Sequence, residues 1–248
     1  LLGAAAGCFL GATASFARIR EEPGHAKGGR NALQEARVGV RLLRDVPGFR
    51  AFVTARALLL AVPLALPFLT VFGREHVDAT LGGLGIFVAA NALAASLASP
   101  AWGRAADMAA HRTMALGGAV SLLAVAWAFA LAWGPVPDEW RTAWAYVPAY
   151  LLAGVGYAGV RLGRKTYLVD APPKDDRPTW VAVANTAIGG ATALGAAIGL
   201  TAAWWGASGT LVAFSALTVI GCVAAWRLPA AADLRARAEG ERAEGEPT

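Results

Sequence analysis

The stretch PTWVAVANTAIGGATALGAAIGLTAAWWGASGTLVAFSALTVIGCVAAW, residues 178–226, holds no Asp, Glu, Lys or Arg across its 49 positions between Arg177 and Arg227. As one helix it would measure about 74 Å at 1.5 Å per residue, whereas a bilayer core of about 30 Å needs only about 20 residues. The stretch must therefore turn once, and Gly206-Ala207-Ser208-Gly209 supplies the residues for it. Charges are also absent between Asp78 and Arg104 and between Arg112 and Asp138. Of all 248 residues 56% are hydrophobic and 16% charged, against about 25% charged in an ordinary soluble domain. These runs read as an all-α, polytopic membrane protein and exclude a soluble enzyme.

Working outward gives six complete spans, at roughly 51–72, 81–102, 113–133, 143–163, 180–204 and 209–227. Residues 1–17 are apolar but lack a charged leader, and read as the end of a truncated transmembrane helix. By that count 19 of the 22 Lys and Arg residues fall on one side of the membrane. Only Arg74 and Arg141 fall on the other, with Arg56 inside a span. Such asymmetry places the basic loops and the C-terminus in the cytoplasm of a cell inner (plasma) membrane. The pI near 9.7 then reflects loop charge rather than affinity for nucleic acid.

Segment 18–50 is the long cytoplasmic connection. Leu33, Ala36, Val40 and Leu43 recur there at helical spacing, with Arg30, Arg37, Arg41 and Arg44 on another face. The pattern suits a basic amphipathic helix on an anionic inner leaflet, or else a partly ordered polar linker. The tail 229–248 has no aromatic residue and is expected to be disordered beyond about Arg237. Pro63 and Pro67 should bend the first full span, and Gly189, Gly190, Gly195 and Gly199 give the fifth a small-residue face.

Between the second and third spans stands Gly103-Arg104-Ala105-Ala106-Asp107-Met108-Ala109-Ala110-His111-Arg112. It resembles the G-x-x-x-D-x-x-x-R/K-R/K loop signature of the major facilitator superfamily. Gly103, Asp107 and Arg112 match, while His111 departs from the pattern. The resemblance implies that residues 1–17 end helix six and 18–50 form the central cytoplasmic loop. On the same mapping 51–228 supply helices seven to twelve, and a preceding N-terminal six-helix half is the principal partner. It also implies that the basic residues of Gly159-Val160-Arg161-Leu162-Gly163-Arg164-Lys165 sit where such proteins carry partners for the loop aspartate. Physically, Asp107 could bind Arg104, Arg112, Arg161 and Arg164 and clamp cytoplasmic helix ends in one of two conformations. The alternative is a set of orienting charges solvated by water and headgroups.

Polar residues inside a bilayer are costly and point to function. Arg56 either snorkels to the headgroups or faces a cavity. Asn91, Tyr157, Asn185 and Thr186 are the other candidate cavity-lining residues, each also suited to an ordinary interhelical hydrogen bond. No span contains any of the 17 Asp and Glu residues, so a proton relay finds no carboxylate here. Cys8 and Cys222 lie in apolar stretches, and the three histidines lack metal-ligand spacing, so no metal, cofactor or catalytic group is expected. The leading functional expectation is a secondary active transporter moving a small molecule or ion by alternating access. The alternative is a membrane scaffold or assembly factor on the same fold.

Single cysteines placed near Glu75, Asp138 or Ser208 should react with an impermeant reagent added outside the cell. Reaction near Asp107 or Lys174 instead would overturn this topology.

Overall fold

The computed structural model describes Gly11, Thr13 and Ser15, and residues 32–76, 81–137, 139, 141–173, 176–200 and 202–245. The expectations for 1–17 and 18–31 lie outside these residues, apart from the first three, which are helical. Contacts divide the chain after Glu35, and Ala36–Thr248 form one compact unit, which the following paragraphs concern.

Every described element of this unit is a helix. In order they are α1 (Ala32–Asp45), α2 (Pro47–Leu58), α3 (Ala61–His76), α4 (Leu81–Trp133), α5 (Ala143–Asp170), α6 (Arg177–Leu200), α7 (Ala202–Trp226) and α8 (Ala231–Gly245). Five helical stretches are long and apolar enough to cross a membrane: Pro47–His76, Gly85–Trp133, Ala143–Asp170, Arg177–Leu200 and Ala202–Trp226. Large apolar side chains point outward from them, with Leu97, Leu194 and Trp204 all more than 70% exposed. A water-soluble surface rarely tolerates that density.

Helix α4 is too long for one crossing, and it breaks at Ala109, whose φ of −156° and ψ of 78° are extended. A Cβ built on Gly159 of α5 would lie 2.9 Å from Gly117 Cα and 3.0 Å from the Trp102 ring. Residues seven before and eight after the break therefore flank one point of α5. The chain reverses at Ala109, and the two arms of α4 correspond to the expected spans 81–102 and 113–133. The loop expected over 103–112 is thereby corrected to helix on both sides of one extended residue.

The first span is helix α2, a turn at Leu59–Leu60, and helix α3. Pro63 has no N–H to offer the Leu59 carbonyl, which instead accepts from Val62 at 3.2 Å. That is the expected proline effect, a tightened turn one residue before the ring. The turn expected over 206–209 appears as a sharp break inside α7 at Gly206, with φ 66°, the only positive φ among the described residues. L side chains avoid that region, which explains the glycine.

The expected small-residue face of α6 is used in part: a Cβ built on Gly195 would lie 2.5 Å from the Leu64 side chain and one on Gly199 3.2 Å from the Phe68 ring, while Gly189 and Gly190 have nothing within 4 Å. The closest backbone approach is on helix α5: Cβ atoms on Gly156 and Gly163 would come 2.6 Å from the Gly117 carbonyl oxygen and 2.7 Å from the Ala110 carbonyl oxygen. Two buried aromatic layers complete the bundle. Phe52 stacks on Tyr167 with centroids 4.7 Å apart, and Phe87 on Tyr150 at 4.3 Å. The Tyr150 hydroxyl donates to the Leu69 carbonyl at 3.1 Å, satisfying its polar end away from water.

Two peripheral helices depart from their sequence readings. In α1 Gly39 is buried against Val183 while Val40 is 66% exposed. Leu42 and, from the expected stripe, Leu43 pack on the core while Arg41 and Arg44 stay exposed, so the covered side of α1 meets protein. The tail, expected to be disordered beyond Arg237, is helical over Ala231–Gly245. Leu234 is 4% exposed within the cluster containing Phe49 and Tyr167. That one buried anchor and an alanine-rich helix former outweigh the polar composition.

Replacing Gly159 with Leu should destabilise the bundle by about 1–3 kcal/mol, as overpacking typically does, and so lower its melting midpoint in detergent. Gly189→Ala should leave it unchanged or slightly raised. Equal responses at both sites would show that the α5 contact does not hold the bundle together.

Candidate functional site

Helix α5 presents Tyr157, Arg161 and Arg164 at intervals of four and three residues, which puts them on one stripe. Arg56 comes to the same place from α2, and these four side chains line a small cavity with Leu59, Pro63, Met114 and Val160. The Arg56 Nη2 donates to the Asn185 side-chain oxygen of α6 at 3.0 Å. The Arg161 guanidinium carbon lies 5.8 Å from the centroid of the Tyr157 ring, within cation–π range. Arg56 Nε and Nη1 and Arg161 Nε are buried and have no hydrogen-bond acceptor. Each such unmet donor costs about 1–3 kcal/mol. No Asp or Glu lines this cavity.

Five of the expected site residues thus meet across three helices: Arg56, Tyr157, Asn185, Arg161 and Arg164. The sequence placed the first three in a membrane cavity and the last two at a cytoplasmic clamp. The structure brings them to one point. Arg56 is half-buried and its bond to Asn185 lies at an exposed position of α6. Asn91 and Thr186 do not join. The Asn91 Nδ2 donates to the Tyr150 carbonyl at 3.3 Å, and the Thr186 hydroxyl to its own helix at Ala182, 3.0 Å away.

The residues of the loop signature form a second, separate group. Arg104 and Asp107 are exposed, and Gly103 has nothing within 4 Å of a built Cβ, so no steric contact here demands a glycine. Arg112 lies over Trp226, 5.7 Å from its ring centroid. Asp107 makes no ion pair among the described residues, and Arg161 and Arg164 line a different cavity from it. The expected clamp from Asp107 to those arginines is therefore not formed in this conformation. Asp107 instead borders a cavity of about 280 Å³ closed by His111, Asp170, Ala230 and Arg235. There Arg235 of α8 donates to the Asp170 carbonyl, and the Tyr167 hydroxyl donates to the Pro229 carbonyl at 3.1 Å. The docking of the tail beneath the signature was missed from sequence; the single Leu234 among polar neighbours was its only signal.

Sequence reasoning also passed over Trp102 and Trp127. Their indole N–H groups donate to the carbonyls of Val155 and Ala145, each at 2.9 Å, tying both arms of α4 to α5. A tryptophan inside a span must find such an acceptor, so the residue type itself was the cue. Among the described residues no three His, Cys, Asp or Glu side chains converge as a metal site would require.

With a hairpin on glycine contacts, a signature at its apex and an arginine-lined cavity, comparison with known proteins becomes informative. The family model described as Major Facilitator Superfamily matches residues 49–247. The chain belongs to the major facilitator superfamily. Its relatives include an uncharacterized protein of Mycobacterium tuberculosis and one of Mycobacterium bovis. Each is 30% identical over 193 residues, covering 77% of this chain and 36% of the relative. The chain thus spans about a third of the length of the curated relatives it matches, at 36%. No solved structure matches it. As a member of the superfamily with these apolar helices, it is a multi-pass membrane protein.

If Leu234 anchors α8, Leu234→Ala should speed amide exchange over Ala231–Gly240 by about tenfold or more, since truncating a buried leucine costs about 2–5 kcal/mol. Coil-like exchange of that segment in the parent chain would show that the tail is undocked.

Proposed function

We propose that this chain is the C-terminal six-helix half of a secondary active transporter. It works with an N-terminal six-helix half to move a small solute by alternating access across the cell inner membrane. The observation that carries the reading is the family match over 49–247, which takes in all but the first two residues of the described spanning helices. Two features of the bundle agree with it. Arginines from α2 and α5 converge in an otherwise apolar assembly, some of their N–H groups buried without an acceptor, and such placement is costly unless it serves a pathway. The proline turn at Leu59–Leu60 and the break at Ala109 also let helix segments move as units.

In this reading the basic loops and C-terminus face the cytoplasm, and α1 lies near the anionic inner leaflet. Asp107 biases the balance between inward-open and outward-open states. It does so by pairing with a cytoplasmic arginine in the conformation opposite to the one described. The substrate lies between the halves, so this chain alone is expected not to catalyse uptake.

The test pairs uptake with accessibility. Vesicles containing the full-length protein should accumulate solute saturably. Cysteine labelling at Tyr157→Cys should fall from one face as it rises from the other when Asp107 becomes Asn. Loss of one charge-assisted contact of about 1.5–3 kcal/mol shifts the two populations by about tenfold or more. Labelling indifferent to both solute and Asp107→Asn would favour a scaffold over a transporter.

A further inference from the structure

We propose that Arg56, Arg161 and Arg164, with Asn185, form a binding site for an oxyanion, a carboxylate or phosphate group carried by the transported solute. Naming the anion as the solute rests on the transport reading above; binding itself is tested without transport.

Three guanidinium groups line one cavity that no Asp or Glu lines; it measures about 10 Å³ in the conformation described, so an oxyanion enters only as the helices part. Like charges gathered in a weakly polar interior repel one another and require a counter-charge. No described Asp or Glu side chain lines the cavity to supply it. The arginines are not simply reaching for the headgroups. Two N–H groups of Arg56 and one of Arg161 are shielded from solvent and lack an acceptor. Tyr157 holds the Arg161 guanidinium over its ring, and Asn185 takes one nitrogen of Arg56 and thereby orients the rest of that group. Positioned, planar, always-charged donors suit the paired oxygens of carboxylate or phosphate, and do so far better than a neutral sugar or a halide. The residues come from α2, α5 and α6, so occupancy would tie three helices together through one anion.

The experiment uses the full chain in nanodiscs of phosphatidylcholine, titrated with inorganic phosphate and with succinate, with mannitol as the neutral control. The expected result is a rise in melting midpoint and calorimetric binding with either anion, and none with mannitol. Arg161→Gln and Arg56→Gln should each weaken binding about tenfold or more, while Lys165→Gln, which removes the same charge from an exposed face of α5, should not. Should either variant fold poorly, arginine-selective dicarbonyl labelling of the parent chain provides the second measurement: phosphate should protect Arg161 and Arg164 and leave Arg41 unprotected. The proposal is overturned by an absence of anion binding and of protection in monodisperse protein. It is equally overturned by losses of the same size in Lys165→Gln and Arg161→Gln, which would indicate a diffuse charge effect. Stabilisation that appears only when phosphatidylglycerol is added to the disc, and is indifferent to phosphate and succinate, would assign the site to a lipid headgroup and also overturn it. Anion binding by a full-length protein that takes up nothing would keep the site and remove the transport reading. Uptake without anion binding would do the reverse.

Discussion

The backbone contact between α5 and the second arm of α4 is the constraint on which the remainder of the bundle depends. Inside a bilayer the hydrophobic effect no longer drives helix to helix, because lipid chains are as apolar as leucine. Adhesion must come from close approach, and Gly117 facing Gly156 and Gly159 allows it where any side chain would intrude. That contact holds the second arm antiparallel to α5. The Trp102 indole then fixes the first arm against the same helix, so the reversal at Ala109 is imposed from both sides. A short, single-residue corner follows from this packing rather than from any turn signal of its own.

The same contact positions the polar site. With Gly156, Gly159 and Gly163 turned toward α4, the helical repeat carries Tyr157, Arg161 and Arg164 to a neighbouring face. There they meet Arg56 from α2. One face of α5 thus secures the bundle while the next presents charge to a cavity. A change at the glycine face would rotate or displace the arginines, so packing and site are coupled through one rigid element. Below them, α8 closes the underside through Leu234 and Arg235, and the signature residues His111 and Asp107 border the space it leaves.

Several elements were legible in the residues, and the misses have identifiable causes. The turn near Gly206 followed from span length, and the break before Pro63 from a missing N–H. Gly189, Gly190, Gly195 and Gly199 are conspicuous in α6, but only Gly195 and Gly199 meet another helix. A glycine only permits approach, and what approaches it is set by another helix. Average composition makes the tail look disordered, but it takes no account of one buried leucine that can hold a short helix. For Asp107, spacing along the chain suggested reach to Arg161 and Arg164, but reach depends on how α5 leans against α4.

Charge placement along the chain was enough to determine the all-helical membrane class, the spans and the loop signature. Each follows from a one-dimensional rule: a bilayer core admits about 20 apolar residues and excludes unpaired charge. Which polar residues share a site was decided only by tertiary structure. Arg56 and Asn185 are 129 residues apart, and nothing in either local sequence names the other. Their meeting with Arg161 depends on helix rotation and crossing, set by where glycines let backbones touch. Those are properties of pairs of helices, and no single stretch of sequence contains them.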